Sequence, residues 1–342
     1  MAASPTDELI PHHGGNPALA ESLYGHPREG WLDLSTGINP NLWSASPDAF
    51  ESVNHLPATD ALQRLLAIAR HAYGVADALP IAAVPGSEIA IRLLPLVAPP
   101  GSVAVVAPTY GSHGEAWRND GRRVAEVATL DDAPAEATIA VLVNPNNPDG
   151  RLVEPDALVT LAHRLGERGG LLVVDEAFGD VVPEASLAPQ LTGLPAVTLR
   201  SLGKFYGLPG LRLGFVAGTR AVVEPLARLL GDWPVSGPAL AIGQAALADA
   251  AWQAAVRLRL AGDRNRLQTL LDGHSLGIVG GTDLFVLASH REARTIHRGL
   301  AQRGVWTRAF AGHPTWLRLG VPGNDSDFDR LDRALAAVMA AR

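Results

Sequence analysis

The chain has 342 residues, 47% hydrophobic and 18% charged, with a formal net charge of −7, a balance that argues against nucleic acid as its primary ligand because phosphate backbones select basic surfaces. This length accommodates two domains and a large core, and with no cysteine there are no disulfides, thiolate nucleophiles or cysteine metal sites. No apolar run reaches the ~18 residues of a membrane span, and MAASPTDELIPHHGG lacks a basic stretch followed by an apolar core, so a cytoplasmic enzyme is expected, with neither a nucleic acid nor a membrane as partner.

Residues 1–35 read as an irregular arm in which the turn-rich PHHGGNP and GHPREG flank one short apolar stretch. From Asp60, ALQRLLAIARHAY repeats its apolar residues with a period of about 3.6 and stops at Gly74, which predicts a capped helix. The period then changes. VAVVAP (Val103 to Pro108), TIAVLVN (Thr138 to Asn144), LLVVDEAF (Leu171 to Phe178) and VTLRS (Val197 to Ser201) are β-branched runs without polar alternation, as in strands buried on both faces. Between the second and third of these lies EPDALVTLAHRLGERGG, helical in period, with Pro155 at its start and Gly169 past its end. This alternation predicts an α/β domain with a mainly parallel sheet, whose ligands gather outside the carboxyl ends of the strands.

After Gly231 the segment GDWPVSGP reads as a hinge, followed by one helical stretch over residues 240–271. TDLFVLAS, a helix through EARTIHRGLAQRG, the strand-like TWLRLGV and a final helix from Asp327 then make a smaller α+β unit. The expected organisation is an arm over residues 1–35, a large domain over 36–232 and a small C-terminal domain over 233–342. With 35 Gly and 26 Pro, many turns and few long helices are expected.

One residue stands apart: of the 28 Lys+Arg residues only Lys204 is lysine. Arginine stays protonated, whereas a lysine amine can lose its proton and attack a carbonyl carbon. Lys204 follows the strand VTLRS in a glycine-rich turn, and Asp175 ends the run LLVV, where a carboxylate can hold a heterocyclic nitrogen protonated. Gly86 and Ser87 precede an apolar stretch able to open as a helix, which suits a phosphate, and Ser201 and Arg212 can add a hydroxyl and a guanidinium to it. Tyr110 in APTYG can stack on a ring, an Asn of NPNNPDG can donate to a ring oxygen, and Arg318 in WLRLG can grip a carboxylate. Read singly, each has a plainer role as cap, turn former, core tyrosine or surface ion pair. The chain offers no alternative chemistry of a familiar pattern: GKF lacks the Ser or Thr of a nucleotide P-loop, and H-E-x-x-H and G-x-S-x-G are both missing.

Taken in order, Gly86-Ser87, Tyr110, NPNNPDG, Asp175-Glu176-Ala177-Phe178, Ser201-Leu202-Gly203-Lys204 and Arg212 resemble the successive motifs of the class I/II aminotransferases, fold type I of the pyridoxal phosphate enzymes. The resemblance implies that Lys204 carries the cofactor and Asp175 pairs with the pyridinium, as catalytic residues. It implies that Gly86, Ser87, Ser201 and Arg212 hold the phosphate, that Glu88 belongs to the cofactor-binding set, that Asn147 donates to the ring oxygen, and that Tyr110 stacks on the ring. Arg318 is then the anchor of the substrate carboxylate.

The front of the chain narrows this further. HHGGNP (His12 to Pro17) with LDLSTGINPN (Leu32 to Asn41) resembles the opening of the threonine-phosphate decarboxylase branch of cobalamin biosynthesis, itself similar to histidinol-phosphate aminotransferases. There the arm reaches over the active site, which implies that His13, Gly14, Gly15, Asn16 and Asn39 meet a phosphorylated amino acid. Phe178 stands where many aminotransferases have a tyrosine, Leu56 where histidinol-phosphate enzymes have one that reaches a neighbouring subunit, and Gly37 replaces the first Asn of Asn-Ile-Asn-Pro. The expectation is therefore a homodimeric lyase that decarboxylates L-threonine O-3-phosphate to (R)-1-aminopropan-2-yl phosphate. A histidinol-phosphate-type aminotransferase is the alternative, and a non-catalytic pyridoxal phosphate sensor is an alternative of another class.

Overall fold

The computed structural model describes residues 13–341, so His12 lies outside the described residues. Two compact units form, one of residues 42–254 and one that joins residues up to 41 with those from 255 onward. In the N-terminal segment, α1 (Pro17–Tyr24) and β1 (Leu32–Asp33) replace the irregular arm expected there. Helix α1 starts because Asn16 Oδ1 accepts the Leu19 N–H at 3.0 Å and Pro17 supplies a pre-set first position.

The large unit contains, in chain order, α2 (Thr59–Ala72), β2 (Ile81–Val84), α3 (Ser87–Val97), β3 (Ser102–Val106), α4 (Ser112–Asn119), β4 (Val124–Val127) and β5 (Ala137–Val143). It continues with α5 (Pro155–Gly166), β6 (Leu171–Asp175), β7 (Ala196–Ser201), β8 (Gly214–Gly218), α6 (Arg220–Leu230) and α7 (Gly237–Ala248). Its seven strands lie in the order β2-β8-β7-β6-β5-β3-β4. Strand β8 is antiparallel to both neighbours and the rest run parallel, so the mainly parallel sheet expected of an α/β fold is present. Every residue of β6 and β7 is buried, which explains why their sequences carry no alternation.

Patterning predicts one helix over residues 240–271, but two form. The chain breaks at Asp249, whose Oδ1 accepts the Trp252 N–H at 3.0 Å and whose Oδ2 accepts from Trp43 Nε1 at 3.1 Å. Capping a new helix and satisfying a half-buried indole outweigh helical continuity at that residue. Helix α7 packs on α2 and so stays with the large unit, past the expected limit at residue 232.

The smaller unit adds α8 (Ala250–Gly273), β9 (Gly277–Thr282), β10 (Phe285–Ser289), α9 (Ala293–Ala301), β11 (Val305–Trp306), β12 (Arg308–Phe310), β13 (His313–Gly320) and α10 (Asp325–Ala340). The 24 residues of α8 are longer than the glycine and proline content suggests. Strands β12-β13-β10-β9 form an antiparallel sheet, and β1 pairs in parallel with β11. Leu267, Leu271, Ile296, Leu300, Leu317, Leu319, Phe328 and Leu331 fill its core. No helix among the described residues is long and apolar enough to cross a membrane.

Charged groups are buried inside this framework. Glu176 and Arg200 are buried in the large unit, with Arg200 Nη2 3.0 Å from Glu176 Oε2, and Ser186 Oγ donating to the same oxygen at 2.7 Å. Burial pushes the Glu176 carboxyl up, and Arg200, Ser186 and the Leu187 N–H oppose it. Replacing Glu176 by Ala strands a buried guanidinium and should cost about 3–5 kcal/mol, read as a lowered urea midpoint. His297 in the smaller unit is buried, its Nδ1 2.8 Å from Thr307 Oγ1, and burial with nearby Arg308 and Arg298 lowers its pKa from 6.5 to about 4. The unfolded chain therefore takes up this proton first as pH falls. Stability attributable to His297 is complete above pH 6.5, declines by as much as about 3 kcal/mol towards pH 4, and is constant below that. Urea midpoints from pH 7 to pH 4 should thus fall more steeply for the native chain than for His297→Gln.

Candidate functional site

Strand register brings the motifs together. Asp175, the last residue of β6, lies opposite Val143 of β5 and Leu199 of β7, so the loops after all three strands leave the sheet side by side. Ser201, at the end of β7, pairs with Gly214 at the start of β8, which also pairs with Val84 at the end of β2. One edge of the sheet therefore carries residues from the loops after β2, β3, β5, β6 and β7 and the turn before β8. They line an open cleft at the carboxyl end of the sheet.

At one end of the cleft, α3 opens with Ser87 directly after Gly86, presenting the N–H groups that a helix start leaves without helical partners. Gly86 has φ +82°, and a Cβ there would stand 2.5 Å from Arg212 Nη2. Only glycine allows the guanidinium to lie over that turn. Arg212 is itself left-handed, with φ 53°, a conformation costing a non-glycine residue about 1–2 kcal/mol. Across the turn, Gly214 admits the backbone closely, since a Cβ there would meet the Ser87 nitrogen at 2.9 Å. Ser201 Oγ accepts the Gly203 N–H at 3.2 Å. These donors, gathered around a helix N-terminus, match what a phosphate requires.

At the other end Asp175 is buried, its Oδ1 accepting the Ala177 N–H at 2.9 Å and its Oδ2 lying 2.9 Å from His113 Nε2. His113 is a residue that motif reading misses. It follows Tyr110 by three positions at the start of α4, and only the fold shows that its ring reaches Asp175. Of the asparagines in NPNNPDG, Asn144 bonds Val153 and Ala185, and Asn146 bonds Thr109, Pro108 and Asp149. Asn147 lines the cleft, as do Lys204 and Phe178. Lys204 Nζ lies 5.5 Å from the centre of the Phe178 ring.

Glu88 also lines the cleft, but its carboxylate points to protein partners: Oε1 accepts from Arg92 Nε at 2.9 Å and Oε2 from the Tyr110 hydroxyl at 3.0 Å. Arg92 in turn bonds Ser112 and Glu115. Burial, with Glu88 beside it, pushes the Tyr110 phenol up to about 12, so it remains a donor at neutral pH.

The remaining candidates belong to the smaller unit. Arg318 is buried on β13, donates from Nη2 to the Ser35 carbonyl at 2.7 Å, and lies over the Phe285 ring. Burial and the facing Arg308 push its guanidinium down to about 9, which leaves it charged at neutral pH. Arg308 sits directly opposite on β12, a cross-strand neighbour not foreseen from its local sequence. Paired cations repel, and an anion between them relieves that. Gly15 donates its N–H to Ser35 Oγ at 2.8 Å, Asn39 is buried and accepts from the Asn41 N–H at 2.8 Å, and Asn16 keeps an amide donor beyond its capping oxygen. His13 and Gly14 stand in the same short turn before α1.

The cleft residues fit pyridoxal phosphate. The glycine-cleared arginine turn at the α3 start suits the phosphate, Asp175 braced by His113 suits a pyridinium, and the lysine suits an aldehyde.

Residues 31–337 match the family model described as aminotransferase class I and II. A threonine-phosphate decarboxylase from Sinorhizobium sp. is 41% identical over 328 residues, covering 95% of this chain and 97% of that protein. A second from Pseudomonas aeruginosa is 41% identical over 325 residues, covering 94% and 96%. In fold, the chain resembles a histidinol-phosphate aminotransferase from Sinorhizobium meliloti solved in complex with pyridoxal-5'-phosphate, with a TM-score of 0.80, 22% identity and coverage of 99% and 98%.

If Glu88 acts by holding the Tyr110 ring, Glu88→Ala should weaken cofactor binding about tenfold in a fluorescence titration. Glu88→Gln keeps an acceptor for the hydroxyl and should bind the cofactor as tightly as the native chain or more so.

Proposed function

Because the chain belongs to the class I and II aminotransferase family, we propose that it is a pyridoxal phosphate-dependent lyase that decarboxylates L-threonine O-3-phosphate to (R)-1-aminopropan-2-yl phosphate. The observation that carries this reading is the 41% identity, over nearly the whole chain, to two proteins of that activity. That step belongs to cobalamin biosynthesis.

When bound, pyridoxal phosphate supplies an electron sink for the pair left on the α-carbon as carbon dioxide departs. The protein's residues do the rest. Lys204, as the only lysine, is the sole side-chain amine able to hold the cofactor aldehyde, and once freed its Nζ can return a proton to the α-carbon. Asp175, fixed by His113 and the Ala177 N–H, keeps a proton at the pyridine nitrogen. Gly86, Ser87, Ser201 and Arg212 would hold the cofactor phosphate, Glu88 would orient Tyr110 as the stacking group, and Asn147 would donate to the ring oxygen. For the substrate, Arg318 and Arg308 take its carboxylate, while His13, Asn16 and Asn39 with the turn at Gly14 and Gly15 take its phosphate. By fixing the substrate's two anionic ends, these anchors would decide between loss of the carboxylate and loss of a proton at the α-carbon.

The same reading makes the enzyme a homodimer: Leu42, Phe50, Val53 and Leu56 are 58%, 55%, 70% and 70% exposed, an apolar strip a second copy would cover. It works in the cytoplasm, since a phosphorylated amino acid is too highly charged to cross a bilayer unaided.

Incubated with threonine phosphate, the protein should release carbon dioxide without any keto acid. Strict dependence on 2-oxoglutarate would sink the decarboxylase assignment in favour of an aminotransferase, and turnover of any phosphorylated amino acid disposes of a mere sensor. Lys204→Ala should lower kcat about 10³-fold or more. Borohydride should fix the cofactor to the peptide holding Lys204, and an adduct that survived the substitution would overturn the mechanism.

A further inference from the structure

Ser35 is 1% exposed, and each of its polar groups serves a different partner. Its carbonyl accepts from Arg318 Nη2 at 2.7 Å. Its hydroxyl donates to Asp33 Oδ1 at 2.6 Å and accepts the Gly15 N–H at 2.8 Å, while its own N–H donates to Asp33 Oδ1 at 2.9 Å. The two glycines of the N-terminal turn are cleared for this docking. A Cβ on Gly14 would stand 2.3 Å from the Ser35 carbonyl oxygen, and Gly15 has φ +79°, with a Cβ position 3.1 Å from Thr36 Cγ2. From the other side β13 closes on the same segment: the Gly320 N–H donates to Leu34 O at 2.7 Å, and a Cβ on Gly320 would meet Thr36 O at 2.4 Å.

We propose that Ser35, braced by Asp33, is a positioning residue that sets the spacing between the turn of His13 to Asn16 and the guanidinium of Arg318. The inference rests on the decarboxylase reading, in which those two elements hold the substrate's two anionic ends. In threonine phosphate, two carbons and one oxygen separate the carboxyl carbon from phosphorus. A receptor for two anionic ends so closely spaced needs its two anchors locked to each other, and a single small residue bonded to both, through its hydroxyl and its carbonyl, does this without a flexible linker. The hydroxyl contributes the bond to the turn and the carbonyl the bond to Arg318, so removing the hydroxyl alone releases the turn and leaves the arginine held.

Ser35→Ala should therefore raise KM for threonine phosphate about tenfold or more with kcat changed less than threefold and with the absorption band of the lysine-bound cofactor intact. It should also narrow the preference for threonine phosphate over homoserine phosphate, whose spacer is one methylene longer. Ser35→Thr, which keeps the hydroxyl, should restore most of the affinity, and Gly14→Ala, which pushes the turn off the Ser35 carbonyl, should reproduce the Ser35→Ala effect. A KM within twofold of native for Ser35→Ala, a loss confined to kcat, or loss of the cofactor band would each overturn the proposal. Hydrogen exchange of the holoenzyme separates this question from the identity of the substrate: amides around Gly15 should be protected in the native chain and in Ser35→Thr, and exposed in Ser35→Ala. If the native amides exchange as fast as those of Ser35→Ala, the clamp does not exist, whatever the enzyme acts on. Should the native chain fail to decarboxylate threonine phosphate while that protection pattern holds, the substrate reading falls and the clamp stands.

Discussion

The buried pair of Glu176 and Arg200 is the interaction on which the catalytic edge of the large unit depends. Glu176 directly follows Asp175, and Arg200 directly precedes Ser201. Linking them at 3.0 Å ties the carboxylate loop to the lysine loop at their roots. Desolvating two charges costs several kcal/mol each, and here the Ser186 hydroxyl, the Leu187 N–H and nearby Asp180 supply the further contacts that offset it. A hydrophobic pair of the same volume would give stability, but not a register-specific connection between the two strand ends.

From that root the cleft is built outward by close backbone approach. Gly86 and Gly214 let the strand ends and the α3 start pack where side chains would collide, and Arg212 accepts a left-handed backbone to lay its guanidinium over Gly86. Polar side chains are then held by second partners: Asp175 by His113, Tyr110 by Glu88, Glu88 by Arg92. Each group facing the cleft therefore arrives in a fixed orientation, as electrostatic catalysis demands, because dipoles already in place need no reorganisation during reaction. The smaller unit uses the same device differently, with the Ser35 backbone and hydroxyl bonding the N-terminal turn and β13 at once.

Locally encoded features were legible in advance. The four β-branched runs without polar alternation became β3, β5, β6 and β7, and helices formed where the period placed them, although Asp60 lies inside the first turn of α2 and Ala58, not Asp60, holds the N-cap position. Strands β2, β4 and β8 were not legible, since their short runs sit among prolines, glycines and charged residues, and they become strands by pairing with neighbours distant in sequence. The break at Asp249 was hidden for the same reason: its cause is Trp43, 206 residues away.

By itself the sequence determined the chemistry on offer: a lone lysine after a buried strand, an aspartate at another strand end, a glycine-serine helix start, and the order in which they come. Residue type and local pattern carry that information because reactivity, capping and burial on both faces depend on near neighbours. The tertiary structure alone decided which groups act together. It set His113 behind Asp175, turned the Glu88 carboxylate to Tyr110, and put Arg308 opposite Arg318. These are consequences of register between strands far apart in the chain, and no local propensity encodes register.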